Sequence, residues 1–236
     1  MEPADAAPIL AVGAECREFS GLLRLATSVS KLSWPIAFAR RILLSGRTWL
    51  LAANGPGPRL AAEAAQAAVR NCRPSAVLST GLCGALDPAI PVQSIFVATE
   101  VRSSARVFPA CIPAQPCNGF SGPLLTQDRV AVTAAEKAVL FASGARAVDM
   151  EAAAVASQAE RLGIPFYCVR VISDEAGYSL PLDFNRYRDA TGRFSRLRIA
   201  LAAVTRPAVV APLMRFDSVC RRSAILLGES LADCRF

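Results

Sequence analysis

Short apolar runs rich in β-branched residues alternate along this chain with alanine-rich stretches of helical period, the rhythm of a mainly parallel sheet carrying helices on its faces. The runs predict strands at Ile9 to Val12, Trp49 to Ala53, Ala76 to Ser79, Ser94 to Val101, Ala145 to Val148 and Phe166 to Ile172. Helices are expected at Cys16 to Ala26, Arg59 to Arg70, Ala134 to Phe141 and Glu151 to Arg161. Pro109 to Pro123 holds four prolines, two glycines and Asn118. That content excludes a helix or a central strand and predicts a long loop beside the sheet, of the kind that often serves as a lid. Asp189-Ala190-Thr191-Gly192 reads as a turn, and helical segments then run from Phe194 to the end, broken at Pro207 and Pro212. The expected fold is α/β: a mixed, mainly parallel sheet flanked by helices over residues 1–180, with a basic helical extension over 181–236 packed on the same domain.

Composition narrows the chemistry. Hydrophobic residues are 53% and charged residues 19% of 236, a globular balance with ample core for one domain. No window approaches the roughly 20 apolar residues of a membrane span. The start carries Glu2 and Asp5 where a secretory leader has basic residues, so the expectation is cytoplasmic. The eight cysteines show no CxxC pair and several sit in apolar stretches such as Phe166-Tyr167-Cys168-Val169, which favours buried reduced thiols over disulfides or metal ligands. Histidine is absent. The usual general base and the commonest zinc ligand are therefore missing, acid and base work falls to carboxylates, and neither metal nor cofactor is expected. The net charge is +7, and from Leu180 onward ten arginines face five acidic residues, so the basic charge concentrates in the tail.

Ligands of open α/β sheets bind beyond the carboxyl ends of the strands. Four such places carry unusual residue types: Gly13-Ala14-Glu15-Cys16-Arg17-Glu18, Thr80-Gly81-Leu82-Cys83-Gly84-Ala85, Asp149-Met150-Glu151 and Ser173-Asp174-Glu175-Ala176. Each alone reads as turn glycines or helix caps. Together they are expected to line one cleft.

Ala147-Val148-Asp149-Met150-Glu151-Ala152-Ala153-Ala154, Ile164-Pro165-Phe166 and Arg170-Val171-Ile172-Ser173-Asp174-Glu175-Ala176 resemble the nucleoside phosphorylase and nucleosidase superfamily, over most of the chain from Ile9 to about Ala176. The resemblance implies cleavage of the N-glycosidic bond of an adenine nucleoside. Asp174 is then the acid at N7 of the purine, oriented by Ser173 and tuned by an apolar surround such as Val171-Ile172 and Ala176-Gly177. Glu151 holds both ribose hydroxyls, and Met150 packs on the sugar. Glu18, followed by Leu22 on its helix, matches the water-activating glutamate of the nucleosidase branch, with Glu15 as the alternate. Cys83, Gly84 and Val130 fall at substrate-binding positions, Val130 where an aromatic on adenine is common. Ser79 and Gly13 to Arg17 stand where the phosphorylase branch carries arginines, which favours water over phosphate as the nucleophile.

Leu180-Pro181, Gly192-Arg193 and Arg206-Pro207 are similar to the hopanoid-associated phosphorylase family, proposed to act on adenosylhopane. That resemblance implies a lipid-linked adenine nucleoside, and arginines interleaved with Ile199 to Val204 and Val209 to Met214 fit an anionic membrane surface, with the protein peripheral on its inner face. A solvated basic face on a packed helical hairpin is the plain alternative. A soluble nucleosidase for methylthioadenosine, S-adenosylhomocysteine or futalosine is the rival activity, and a catalytically inactive binding relative is a third. A homodimer is expected; nucleic acid is not, for want of an aromatic-basic motif.

Overall fold

The computed structural model describes residues 7–114 and 119–236. Strand β1 (Ile9–Gly13) is buried at every position because both of its edges and both of its faces are covered. It lies parallel to β4 (Arg47–Ala53) on one side and β5 (Ala76–Ala85) on the other. Beyond β5, β10 (Phe166–Asp174) runs parallel to it and pairs antiparallel with β6 (Ile95–Arg102). β8 (Phe120–Thr126) lies parallel to both β6 and β9 (Ala147–Asp149), and β9 closes antiparallel on Gly84 and Ala85 of β5. These five strands form a closed ring. The sheet continues outward from β1 through β4, β3 (Phe38–Leu44) and β2 (Ser28–Lys31), while β7 (Val107–Pro109) pairs with β6.

All six expected strands are present, and β2, β3, β7 and β8 were not foreseen. β3 carries alternating Arg40-Arg41 on a half-exposed hairpin, closed on β4 by Ser45-Gly46 with φ of 49° and 74°, the left-handed pair that a two-residue hairpin turn requires. β8 corrects the reading of Pro109 to Pro123 as a loop. Pro123 sits inside a strand of the ring, opposite Glu100, where the β6–β8 register shifts between Ala98 and Glu100. At such an irregularity a missing N–H costs little. The middle of the expected loop, residues 115–118, lies outside the described residues.

A 3-10 turn (Cys16–Phe19) leads into α1 (Ser20–Leu25); α2 (Pro58–Asn71), α3 (Ala134–Phe141) and α4 (Ala152–Leu162) follow the predicted places. Thr133 caps α3 by accepting from the Glu136 amide, and Gly163 ends α4 in the left-handed conformation. One face of the sheet is covered by small residues of α2 and α4, including Ala61, Ala64, Ala65, Ala152, Ala156 and Ala159. The other is covered by Phe19, Leu22, Leu227 and Leu231 over Leu51, Leu78, Val169 and Val171.

The tail is two things. α5 (Arg196–Thr205) buries no residue, whereas α6 (Val210–Asp233) buries Cys220, Ser223, Ala224, Leu227, Gly228 and Leu231. α6 is thus part of the core, and Pro212 does not break it: it stands in the first turn, where the amide has no helical partner. A 3-10 turn (Pro207–Val209) bends the chain between the two helices.

The cysteine expectation needs correcting. Cys16, Cys72, Cys83, Cys111, Cys168 and Cys220 are free thiols, but Cys16 and Cys111 are exposed, and Cys234 is disulfide-bonded. The chain end folds back so that the Ala114 amide donates to the Arg235 carbonyl, a closure that sequence spacing does not reveal. Cys117 lies outside the described residues.

Candidate active site

The second half of β5 is the floor on which the separated fragments meet. Glu18, buried in the turn after β1, accepts from the amides of Ala14 (2.6 Å) and Glu15 (3.1 Å) through Oε2 and from Leu82 (3.1 Å) through Oε1. It both caps its own turn and is tied to β5. Gly81 makes this possible: its φ is +133°, and a Cβ there would lie 2.7 Å from Glu18 Oε1. Burial pushes the Glu18 carboxyl above its ordinary range, opposed by the Arg170 charge and these backbone donors. Glu15, the alternate, turns outward to Arg17 at 2.9 Å.

Two residues along β5 from Gly81, Ser173 Oγ lies 3.1 Å from the Cys83 carbonyl and 2.6 Å from Asp174 Oδ1, so its single proton is best used on the nearer carboxylate. Asp174 Oδ2 packs over Gly84, where a Cβ would stand 3.0 Å away. The expected apolar surround of Asp174 is corrected. Lys137, fully buried on α3, donates to Asp174 Oδ2, and also to the carbonyls of Glu175 (2.7 Å) and Tyr178 (3.0 Å).

Arg170 joins the carboxylates from beneath. Fully buried in the otherwise apolar run of β10, it donates to Asp149 and to Ser79 Oγ (2.8 Å), reaches the Thr80 carbonyl (3.3 Å), and lies 3.6 Å from Glu151 Oε2. Asp149 also accepts from the Ala152 amide (2.8 Å) and the Thr126 hydroxyl (2.6 Å), which fixes the start of α4. Glu151 Oε1 accepts from the Gly57 amide at 2.8 Å, drawing the β4–α2 loop onto the site. Its carboxyl is pushed up to about 8 by burial, with Asp149 and Glu18 adding and Arg170 opposing.

The structure therefore brings Glu18, Glu151, Ser173, Asp174, Cys83 and Gly84 together. Met150 is buried beside Glu151 in sequence. Cys83 contributes its carbonyl; burial holds its thiol well above the usual range, so it is no nucleophile. Val130 is half-buried, and both its amide (2.8 Å) and its carbonyl (3.0 Å) are paired with the Asn185 side chain. Sequence reasoning assigned nothing to Lys137, Asp149 or Arg170. For Arg170 a signal existed, a lone charge in the apolar run Phe166 to Ile172; for Lys137, on an ordinary short helix, there was none.

A ring of parallel and antiparallel strands with buried carboxylates at the end of its central strand defines an α/β protein of the nucleoside-processing architecture. The chain belongs to the phosphorylase superfamily, whose family model matches residues 9–123 and 120–204. Among curated relatives it is similar to a 5'-methylthioadenosine/S-adenosylhomocysteine nucleosidase of Pseudoalteromonas translucida, 26% identical over 195 residues, 67% of this chain and 80% of that protein. The enzyme of the same name from Shewanella oneidensis is 25% identical over 194 residues, again 67% and 80%. Among solved structures, the nucleosidase of that name from Neisseria meningitidis, in complex with methylthio-immucillin-A, superposes with a TM-score of 0.73 at 20% identity, covering 97% of this chain and 98% of that one. An S-adenosylhomocysteine nucleosidase from Streptococcus pyogenes gives 0.72 at 17%, covering 98% and 97%. These structures share the fold.

Proposed function

We propose that this chain is a purine nucleosidase that hydrolyses the N-glycosidic bond of a 5'-substituted adenosine, as the names of its relatives describe for methylthioadenosine and S-adenosylhomocysteine. The observation that carries the reading is a pair of buried carboxylates, Glu18 and Asp174, anchored within four residues of each other on β5 at Gly81 to Gly84. Asp174 serves the purine N7, so that adenine leaves neutral as the ribose becomes cationic. Glu151 holds the ribose hydroxyls, exchanging its Gly57 partner for substrate. Glu18 takes a proton from the attacking water, an acid–base division parallel to that of inverting glycosidases.

Water is favoured over phosphate because Lys137 and Arg170, the buried cations among the described residues, are already engaged with Asp174, Asp149 and Glu151. A dianion needs uncommitted donors. Purified protein incubated with methylthioadenosine or S-adenosylhomocysteine should release adenine and free sugar without phosphate. A strict phosphate requirement, with a sugar phosphate as product, would overturn hydrolysis.

A second reading concerns the 5' group. Leu197, Leu201, Val204 and Met214 are 81%, 62%, 77% and 69% exposed around the α5–α6 bend, among Arg196, Arg198, Arg206 and Arg215. Apolar side chains set among arginines suit an anionic lipid surface and a nucleoside with a lipid tail, such as adenosylhopane. Relatives support the small thio-nucleosides; this ridge supports the lipid. Competing the two substrates in detergent micelles decides which has the higher kcat/KM.

A further inference from the structure

We propose that Lys137 supplies the proton that Asp174 passes to the purine, so that the acid of the reaction is the Lys137–Asp174 pair. The inference rests on the nucleosidase reading above. Asp174 accepts at both oxygens, from Ser173 at Oδ1 and Lys137 at Oδ2. That is the bonding of a carboxylate, which has no proton of its own to give. Lys137 carries the proton nearest to it.

Lys137 is fully buried, and its three donors are all placed, on Asp174 and on the Glu175 and Tyr178 carbonyls. Burying an ammonium is unfavourable unless an opposite charge offsets the lost hydration, and pinning a turn through two carbonyls needs only a neutral donor. Among the described residues Asp174 is the carboxylate paired with the ammonium, and the Ser173 hydroxyl on its other oxygen is neutral. The pair is neutral overall, so it stores a proton beside the leaving base without burying net charge.

The step balances. As the C1'–N9 bond breaks, its electron pair goes to the purine. A proton moves from Lys137 Nζ to Asp174 and from Asp174 to N7, leaving a neutral amine and a carboxylate. Water adds to the ribosyl cation and yields its proton to Glu18. After adenine leaves, proton exchange with solvent restores the ammonium and the Glu18 carboxylate. Lys137 is a positioning residue in this scheme, acting only through Asp174.

Arginine distinguishes charge from proton supply, because a guanidinium keeps the ion pair but holds its proton too tightly to give it up. Lys137→Arg and Lys137→Met are compared with Asp174→Asn on methylthioadenosine and on its N7-methyl derivative, which departs as a neutral base with no proton added. Both Lys137 variants should lose about 100-fold or more in kcat on the unmethylated nucleoside, with KM within a few-fold. On the N7-methyl nucleoside they should stay near wild type. Equal loss on both substrates would reduce Lys137 to a structural pin, and full activity of Lys137→Arg on the unmethylated nucleoside would overturn the relay by itself, whether or not Lys137→Met folds and the methylated nucleoside binds. Undiminished activity of Asp174→Asn would instead sink the underlying assignment of Asp174.

Discussion

Glu18 is held in the site by a glycine fifty and more residues away. Gly81→Ala must relieve both an unfavourable φ and a 2.7 Å approach to Glu18 Oε1, so it should cost about 1–3 kcal/mol in denaturant unfolding and reduce kcat by displacing the carboxylate. Glu18→Gln keeps the volume but removes the proposed base and turns one oxygen that accepts a backbone amide into a donor; it should lower kcat by about 100-fold to 10,000-fold in an adenine-release assay, with a lowered melting temperature from the lost backbone tie. The buried acids also set a pH dependence. Glu151 rises from 4.5 to about 8 on folding, chiefly through burial, and Glu18 rises as well. A carboxyl raised in the folded state binds its proton more tightly there than in the unfolded chain. Its contribution is present in full below about pH 4.5 and is lost as the pH climbs through 8. Thermal melts should therefore show stability declining across that window, and Glu151→Gln should flatten the decline. Both effects were beyond sequence patterning, which identifies a carboxylate after a strand but not the depth at which it is buried.

At the scale of elements, α6 goes further than the packed basic extension that was expected, because it completes the core. It crosses α1 so closely that a Cβ on Gly228 would lie 2.3 Å from the Gly21 carbonyl carbon. Gly228→Ala should force the helices apart and lower the melting temperature. Leu227→Ala, removing a side chain with no exposure, should cost about 2–5 kcal/mol, whereas Leu201→Ala on α5 should stay within about 0.5 kcal/mol of wild type. Denaturant midpoints of the three variants separate core helix from free helix. β1, β4, β5 and β10 were legible because buried parallel strands are continuous apolar runs. β2 and β8 were not: Ser28–Lys31 is exposed at every position, and Phe120–Thr126 contains a proline that only a neighbouring register shift accommodates.

For the whole molecule, the exposed ridge of α5 and the α5–α6 bend predicts salt-dependent binding to anionic vesicles. Sedimentation with phosphatidylglycerol liposomes should retain the protein at low salt and release it as salt rises, since screening weakens the arginine attraction. A Leu197, Leu201 and Val204 triple replacement by serine should bind less at every salt concentration. No binding at low salt would leave the ridge as a solvated face and remove the physical support for a lipid-tailed substrate. The expected homodimer is checked by light scattering, as twice the chain mass.

Local order in the chain determined the core strands and helices and the α/β class, and set Glu18, Glu151 and Asp174 after strands whose apolar pattern is visible without folding; the superfamily resemblance singled these carboxylates out as candidates. The absence of histidine had already left acid–base work to such groups. Tertiary structure alone decided how they are poised: Lys137 on Asp174, Arg170 between Asp149 and Glu151, and Gly81 beneath Glu18 are pairings across 37, 21 and 63 positions of sequence. Charge pairing in a low-dielectric interior depends on distance in space, which periodicity along the chain does not encode.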